Sequence, residues 1–318
     1  MIHVRTSSRL HFGLLSLNPL SPRRFGGVGL MVNEPGITVK IEQADEWSAT
    51  GPLSKRALDF VQSFIKVTEI ADDITIIPGR IEIEKSAPEH MGLGSGTQLG
   101  LAVGRAVAVH LGLDELPLNE ITHRVGRGIR SAIGIHGFAQ GGLLVDGGKQ
   151  ESDDVAPLVA RQPFPDGWRI VMVLPQSLSG LHGEKEEQAF FDLTIPIEST
   201  SYLCRLVLMG ILPGIVSQDL EVFGEALYDF NREAGRCFKA AQGGIYANPM
   251  LSDVITEVRK QGTRGVGQSS WGPTVFAVCG DEEQAAALAE AVRKKFSLSD
   301  KEVFVTAAAN EGAVTQRI

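Results

Sequence analysis

The chain has 318 residues, of which 43% are hydrophobic and 21% are charged, a balance typical of a folded globular protein and not of a disordered or fibrous one. Its 30 Lys and Arg against 38 Asp and Glu give a net charge of −8. This charge disfavours a general binder of nucleic acid or of anionic membranes, because both depend on positive surface potential. The length predicts two domains that share a cleft.

The first third of the chain is predicted to consist mainly of strands. Residues 37–41 and 80–84 alternate apolar and polar side chains, which is the two-residue period of a strand with one exposed face. A helix is predicted between them at 58–65. A second helix, at 97–111, is apolar on all sides and is followed by Gly112, so we expect it to be buried.

The second half begins after a proline-rich segment. Residues 153–165 contain three prolines and predict a linker, so we place an N-terminal domain at 1–165 and a C-terminal domain at 166–318. The later predicted elements are a strand at 168–174, helices around 202–209, 222–239 and 250–260, a strand at 274–278, a helix at 282–295 and a strand at 303–306. Helices and strands are mixed without a repeating βαβ order, which favours an α+β fold.

The sequence also bears on the location of the protein. Its three cysteines, Cys204, Cys237 and Cys279, lie far apart and lack the paired spacing of a zinc or redox site. The N-terminus lacks the features of a signal peptide, and no apolar run reaches the roughly 18 to 20 residues that a membrane span needs. We therefore expect a cytoplasmic protein without a membrane segment.

A glycine-rich segment at 88–98, Pro-Glu-His-Met-Gly-Leu-Gly-Ser-Gly-Thr-Gln, comes directly before the buried helix. The first N–H groups of a helix have no partner within it, and glycines let phosphate oxygens approach them closely. The segment therefore predicts a phosphate site. It lacks the Lys-Ser/Thr pair of a nucleotide-binding loop and does not open a βαβ unit. An ordinary helix cap by Ser95 or Thr97 is an equally weighted alternative.

Three other segments carry candidate ligand-binding groups. Residues 262–273 combine glycines with Gln268, Ser269, Ser270 and Trp271 directly before an apolar strand, which favours a ligand-binding loop over a simple turn or bulge. Two further clusters, 127–142 and 8–13 with 23–29, supply arginines that could grip phosphate or carboxylate and histidines that could move protons. The arginines are Arg9, Arg23, Arg24 and Arg130, and the histidines are His11 and His136. The charged segment 182–187 is interpreted as a solvated turn, with a mobile active-site loop as the alternative.

These segments resemble motifs of the GHMP kinase superfamily. Residues 88–98 are similar to its central motif, Pro-x-x-x-Gly-Leu-Gly-Ser-Ser/Gly, and 265–272 lie where the superfamily has a third, glycine-rich motif. A closer resemblance, over essentially the whole chain, is to the β-ribofuranosylaminobenzene 5′-phosphate synthase family. It rests on residues 8–14, 24–29, 92–98, 130–134 and 267–273. The resemblance implies an N-terminal domain like domain 2 of ribosomal protein S5 and a ferredoxin-like C-terminal domain.

Departures from the kinase motifs weaken a kinase interpretation. The kinases use a serine pair to help bind metal and nucleotide, whereas this chain has Ser95 followed by Gly96, with Thr97 as a substitute. The kinases usually place an Asp a few residues before the pair that matches Gly141 and Gly142. Here residues 131–140 contain no carboxylate, so phosphoryl transfer to an alcohol lacks its usual base.

The synthase resemblance implies a reaction without such a base. It joins phosphoribosyl pyrophosphate to 4-hydroxybenzoate or 4-aminobenzoate and releases CO2 and pyrophosphate, in the biosynthesis of methanopterin-type carriers. Mg²⁺ is expected at Ser95 and Thr97, no organic cofactor is expected, and a homodimer is expected from the frequency of two-fold assemblies. A small-molecule kinase and a ligand-binding protein without catalysis remain as alternatives.

The resemblance and the residue types together assign candidate roles. His11, Phe12, Phe25 and Trp271 are predicted to form the slot for the aromatic ring. The residues predicted to take part in catalysis are His11, Arg24 and His136. The residues predicted to bind substrate are Arg9, Gly92, Gly94, Ser95, Gly96, Thr97, Gln98, Arg130, Gln268, Ser269, Ser270 and Trp271.

Overall fold

The structure, a computed structural model, describes residues 1–18, 21–71, 74–178, 180, 193 and 195–318. The charged segment 182–187 lies outside the described residues. The strands are β1 (Ile2–Ser16), β2 (Phe25–Gln43), β3 (Ser48–Thr50), β4 (Gly79–Lys85), β5 (Leu143–Asp146), β6 (Leu158–Gln162), β7 (Arg169–Val173), β8 (Gly265–Gln268), β9 (Val275–Cys279), β10 (Val303–Thr306) and β11 (Val314–Arg317).

The helices lie between and after these strands. They are α1 (Ser54–Ala71), α2 (Ser95–His110), α3 (Leu118–Arg124), α4 (Ile133–Gln140), α5 (Ile197–Leu206), α6 (Leu212–Val216), α7 (Leu220–Cys237), α8 (Lys239–Gln242), α9 (Pro249–Lys260) and α10 (Glu282–Phe296). A π-helical turn, Val207–Ile211, joins α5 to α6.

Seven of the described strands form the larger sheet, in the order β11-β1-β2-β4-β3, with β5 paired to β2 and β6 paired to β5. Strand β2 pairs along its length with β1, and on its other side it pairs first with β5 and then with β4. The last strand of the chain, β11, pairs antiparallel with β1. The N- and C-terminal strands therefore lie side by side in one sheet.

The smaller sheet has the order β10-β7-β9-β8 and is antiparallel throughout. Its apolar residues pack against α9 and α10 in a separate core cluster. Near the larger sheet, the ring of Phe12 in β1 stacks on that of Phe276 in β9, with centroids 5.1 Å apart. Both rings are fully buried, so a continuous core joins the two sheets.

Helix α2 is the central helix of the larger core. Twelve of its 16 residues are buried, which confirms the prediction that this apolar helix lies inside the protein. It contacts β1 and β2 on one side and α1, α3 and α4 on the others. The core thus fixes the position of its N-terminus, where the glycine-rich segment begins.

The α+β fold predicted from the sequence is confirmed, but several local predictions are wrong. Residues 153–165 contain strand β6 and are not simply a linker. Residues 8–13 and 25–29, which the sequence marked only as candidate ligand-binding clusters, belong to the long strands β1 and β2. Their glycines concealed the strand signal, although alternate side chains of β1 are buried as in any strand with one covered face. The boundary at 165 and 166 stays a prediction.

One helical stretch, Ile197–Val216, is long and apolar enough to cross a membrane by length and composition, and a third of it is buried. From the sequence we expected no apolar run long enough to span a membrane, and this stretch of 20 residues meets that length. In the structure the stretch packs against α7. A single helix of this kind is weak evidence for a membrane segment, because core helices of soluble proteins meet the same criterion.

Candidate active site

A cavity of about 400 Å³ lies where β1, the N-terminus of α2, the segment 126–131, α7 and the loop after β8 meet. One wall carries the guanidinium groups of Arg9, Arg56, Arg127 and Arg130. A second group of lining residues is apolar or aromatic, and we call it the apolar wall. No Asp or Glu is found among the described lining residues. In a protein of net charge −8, such a wall is a local positive site suited to a polyanion.

The two glycine-rich segments predicted from the sequence interlock beside this cavity. A Cβ atom on Gly92 would lie 2.1 Å from the carbonyl oxygen of Ser269, and one on Gly272 would lie 2.1 Å from the nitrogen of Gly92. The Ser269 hydroxyl donates to the carbonyl of Gly92 (2.7 Å), and that of Thr274 donates to the carbonyl of Met91 (2.6 Å). Only glycine permits this backbone contact, so the two segments position each other.

The N-terminus of α2 faces the cavity through Gly94, Gly96 and Thr97. Gly94 is the N-cap, with φ of 68°, and no side chain caps the helix. The first N–H groups of a helix point along its axis with the positive end of the dipole, an arrangement that attracts anions. Arg9 of β1 lies beside the cap, and its Nε is 3.2 Å from the position of a Cβ on Gly94.

The second half of the basic wall comes from α1 and from the segment after α3. Arg56 of α1 forms an ion pair with Glu89. Arg127 lies 4.8 Å from the ring centroid of Phe60, and Arg56 lies 5.9 Å from the same centroid. Burial and the charge of Arg56 lower the pKa of Arg127 to about 10, so Arg127 stays positive at neutral pH.

The apolar wall is formed mainly by β1, α7 and the loop after β8. The lining residues that share this apolar or aromatic character are Phe12, Leu14, Phe238, Ile245, Tyr246 and Trp271. The rings of Phe238 and Trp271 meet edge to face, with centroids 4.6 Å apart. A flat aromatic ligand fits such a wall, because rings stack or meet edge to face at these distances.

His11 also lines the cavity and is linked to a buried carboxylate. The Ser131 hydroxyl donates to Asp146 Oδ2 (2.7 Å), and His11 Nε2 lies 3.1 Å from the same hydroxyl oxygen. Because that hydroxyl has one proton and gives it to Asp146, its oxygen accepts a hydrogen bond from Nε2–H of His11. The opposite nitrogen, Nδ1, then carries a lone pair. It is buried and has no hydrogen-bond partner among the described residues.

Burial controls the charge of both ends of this chain of hydrogen bonds. The pKa of His11 lies well below its usual value because the ring is buried and because Arg9 is positively charged, so the imidazole is neutral at pH 7. Burial raises the pKa of Asp146, while donors from Ser131, Gly148 and Ala132 oppose that rise. His11 is therefore a neutral imidazole held in one tautomer.

The described residues do not form a protein-ligated magnesium site. Mg²⁺ prefers carboxylate and phosphate oxygens, and the described lining offers hydroxyl and amide oxygens only. Thr97 lines the cavity, whereas Ser95 is buried in the first turn of α2 and does not. No group of three or more His, Cys, Asp or Glu able to hold a metal occurs among the described residues.

The structure gathers most of the predicted site residues at this cavity. Nine of them line it, namely Arg9, His11, Gly94, Gly96, Thr97, Arg130, Gln268, Ser270 and Trp271. Phe12 of the predicted aromatic slot also lines it, whereas Phe25 does not. The side-chain amide of Gln268 is engaged by Ala247 and Ser270 within the protein.

Six predicted residues, Gly92, Ser95, Gln98, Ser269, Arg24 and His136, do not line the cavity. Gln98 is fully buried and joins Thr6 to the carbonyl of Gly134. The Arg24 guanidinium lies over the ring of Phe25, and His136 Nε2 donates to the carbonyl of Ala156 (2.8 Å). The roles assigned to these residues stay predictions.

Sequence reasoning did not identify four residues that the structure brings to the site. Arg56 lies in an ordinary amphipathic helix, and Arg127 was noted only as part of a longer cluster. Ser131 and Asp146 were not singled out, although an acid that directly follows the apolar run of β5 is a signal of a buried, partnered carboxylate. Their distances along the chain hid their proximity.

Two family models match the chain. The description "GHMP kinases N terminal domain" applies to residues 55–142, and "GHMP kinases C terminal" applies to residues 211–298. The first range contains the glycine-rich segment and three arginines of the basic wall, Arg56, Arg127 and Arg130. The second contains the aromatic residues of α7 and of the late loop.

Curated relatives and solved structures agree with these matches. The β-ribofuranosylphenol 5′-phosphate synthase of Archaeoglobus fulgidus is 34% identical, over 98% of this chain and 98% of that protein. The enzyme of the same name from Methanothermobacter thermautotrophicus is 31% identical, over 98% and 97%. A homoserine kinase structure from Cytophaga hutchinsonii has a TM-score of 0.72 at 19% identity, over 99% and 97%, which shows a shared fold.

Proposed function

Because this chain belongs to the β-ribofuranosylphenol 5′-phosphate synthase family of the GHMP kinase superfamily, we propose that it joins phosphoribosyl pyrophosphate to a benzoate and releases CO2 and pyrophosphate. The observation that carries this proposal is the two-sided cavity. Four arginines, a helix N-terminus and several aromatic side chains line it, and no carboxylate is found among the described lining residues. A polyanionic sugar and a flat ring fit these two sides.

The proposed acceptor is 4-hydroxybenzoate. The relatives are named for a ribofuranosylphenol, which is the product when the ring keeps a hydroxyl group and loses its carboxylate. 4-Aminobenzoate would give an aniline instead. The aromatic residues Phe238 and Trp271, and the neutral His11 that lines the same cavity, support a ring that carries a polar group.

The proposed reaction balances without a redox partner. The C1–oxygen bond to pyrophosphate breaks and its electron pair leaves with pyrophosphate, while the ring carbon bearing the carboxylate bonds to ribose C1. The phenol transfers its proton to Nδ1 of His11, and this loss of the proton increases the electron density at that carbon. The bond to CO2 then breaks, its electron pair restores the aromatic ring, and His11 returns the proton to the oxygen.

Most of the proposed rate enhancement comes from charge and position. The arginine wall and the N-terminus of α2 stabilise the negative charge that develops on the leaving pyrophosphate. The aromatic wall holds the ring carbon near ribose C1. Because the described residues do not fit a protein-held metal, we propose that any Mg²⁺ arrives bound to the phosphates of the substrate.

The proposal is tested by release of labelled CO2. The folded protein is incubated with phosphoribosyl pyrophosphate, Mg²⁺ and carboxyl-labelled 4-hydroxybenzoate or 4-aminobenzoate, and CO2 and pyrophosphate are measured together. We expect equal amounts of both, with 4-hydroxybenzoate preferred. 3-Hydroxybenzoate is the matched control, since its hydroxyl cannot donate electrons to the carboxyl-bearing carbon, and it should release no CO2.

Failure of the reaction with both benzoates would refute the proposal. A kinase would instead consume ATP in proportion to an added alcohol, and a ligand-binding protein would bind phosphoribosyl pyrophosphate without turnover. A cytoplasmic location and a homodimer remain predictions. Sedimentation velocity tests the second, and the exposed apolar residues Leu208, Met209 and Val216 are a surface that a dimer contact could cover.

A further inference from the structure

Two arginines that are distant in sequence lie side by side on one buried ring. The guanidinium carbons of Arg56 and Arg127 are 5.9 and 4.8 Å from the ring centroid of Phe60, whose side chain is only 6% exposed. Phe60 in turn packs on α2 at Gly100, where a Cβ would lie 3.2 Å from the ring. The ring therefore fixes two positive charges near the first turn of α2.

Among the described residues, Glu89 is the one carboxylate that forms an ion pair with either of these two arginines. Glu89 pairs with Arg56, and its carboxylate is not among the lining residues of the cavity. The Nε atom of Arg127 is buried and has no hydrogen-bond partner among the described residues. The two like charges repel each other, so an anion between them would relieve the repulsion and satisfy the free donor.

Gly96 is the residue that admits Arg56 to this position. A Cβ on Gly96 would lie 2.3 Å from a terminal nitrogen of Arg56, closer than any real contact. Gly96 lies within a helix and has an ordinary negative φ, so its backbone does not require glycine. The space taken by the guanidinium group is the reason that a side chain is excluded.

We propose that Arg56 and Arg127 form a guanidinium clamp that binds a diphosphate group directly, and that glycine at 96 makes room for this clamp at the N-terminus of α2. The inference rests on the proposed function only for the identity of the substrate that carries the diphosphate. Two planar guanidinium forks and the helix N–H groups offer donors on several sides of such a group, whereas a single phosphate would leave some of them unused.

The clamp has a chemical consequence for the proposed reaction. Donors fixed around the leaving pyrophosphate stabilise its charge without a metal held by the protein. This agrees with the described lining, which lacks carboxylates. We therefore expect inorganic pyrophosphate to bind the full chain in the presence of a metal chelator.

The test is calorimetric titration of the full chain with inorganic pyrophosphate in EDTA. Arg56→Gln and Arg127→Gln should each weaken pyrophosphate binding about tenfold to a hundredfold, the loss expected for charge-assisted hydrogen bonds. Arg80→Gln is the matched control. Arg80 pairs with Glu42 on the exposed face of β4, so its loss should change the affinity by less than about twofold.

Gly96→Ala separates the clamp from folding. Alanine favours a helix more than glycine does, and the atom displaced is the end of a flexible side chain, so thermal stability should be kept or raised. Pyrophosphate binding should nevertheless weaken about tenfold. Gly167→Ala, where a Cβ meets only one atom at 3.9 Å, is the control.

A double substitution decides whether Gly96 acts through Arg56. If the alanine only displaces Arg56, Arg56→Gln with Gly96→Ala binds pyrophosphate as weakly as Arg56→Gln alone. If the double variant instead loses affinity by the product of the two single losses, this part of the inference is overturned. That result would show that the alanine blocks the loop independently of Arg56. Unchanged binding in Gly96→Ala would also overturn it.

The ligand class is tested with ribose 5-phosphate in parallel. If Arg56→Gln and Arg127→Gln weaken ribose 5-phosphate binding but leave pyrophosphate binding unchanged, the diphosphate assignment is wrong. A wild-type chain that binds pyrophosphate only with Mg²⁺ would refute direct binding. Since these titrations need no turnover, pyrophosphate binding through the clamp in a chain that releases no CO2 would refute the proposed function and keep the clamp.

Discussion

Replacing Ser131 by alanine should slow decarboxylating transfer, because it removes the hydroxyl that joins Asp146 to His11. In the wild type that hydroxyl donates to Asp146 Oδ2 at 2.7 Å and accepts from His11 Nε2 at 3.1 Å. The substitution leaves Asp146 with two backbone donors, from Ala132 and Gly148. His11 instead loses the contact that selects its tautomer and orientation.

The magnitude follows from the hydrogen bond that is lost. A buried Nε2–H without an acceptor costs about 1–3 kcal/mol. Part of this cost reduces the stability of the fold, and part of it is avoided when the imidazole rotates or changes tautomer. The same range corresponds to about a fivefold to 150-fold loss in the rate of a step that needs Nδ1 unprotonated and in place. We expect a loss of this size in kcat/KM for 4-hydroxybenzoate.

The assay compares both benzoates at pH 7.5 with saturating phosphoribosyl pyrophosphate. With 4-aminobenzoate the amine can donate its lone pair without first losing a proton, so Ser131→Ala should affect that acceptor less than 4-hydroxybenzoate. Pyrophosphate affinity, measured by calorimetry, should stay unchanged. These two readouts separate a role in proton transfer from a general loss of structure.

The reasoning is refuted by one result in particular. Ser131 also lines the cavity and could contact substrate directly. If it acts through His11, Ser131→Ala should have no further effect on turnover in a His11→Gln background. An equal loss in both backgrounds would show that Ser131 acts on its own, and no loss in either would show that the hydrogen-bond chain has no part in the reaction.

Gly92→Ala should destabilise the protein by about 3 kcal/mol or more, because residue 92 has a positive φ and the added Cβ would meet the Ser269 backbone. Gly112 has a similar φ but open space around it, so Gly112→Ala should cost only about 1–2 kcal/mol. Chemical denaturation measures both. Trp271→Leu should raise the KM for the benzoate about twofold to tenfold and leave pyrophosphate affinity unchanged. Between pH 6.5 and the lower pKa of folded His11, the unfolded chain takes up a proton that the folded chain does not. The free energy of unfolding of the wild type should therefore fall as the pH falls through this range. In His11→Gln it should fall less.

Local patterns predicted much of the fold. The helix at 97–111, the strand at 168–174 and the helix at 282–295 are present in the structure within a few residues, because the period of apolar side chains depends on local geometry alone. The two glycine-rich segments were also predicted correctly as neighbours of buried elements. Glycine and hydroxyl residues next to a buried helix or strand can be recognised without knowledge of the tertiary structure.

Other features depend on contacts between distant residues. Strand β11 pairs with β1 across the whole length of the chain, and its own four residues give a weak strand signal. Asp146 reaches Ser131 from a strand that follows the intervening helix, so the absence of an acid within 131–140 did not mean the absence of a carboxylate at Ser131. Sequence position does not report such proximity.

The glycine-rich segment at 88–98 shows which features follow from the sequence and which depend on the tertiary structure. Its composition and its place before an apolar helix predicted an anion site, because helix geometry leaves the first N–H groups unpaired in any context. Only the tertiary structure decided which side chains surround that site. The guanidinium groups of Arg9, Arg56 and Arg127 converge there from β1, from α1 and from the segment after α3. The packing of these parts is set by the buried core and not by their order in the chain.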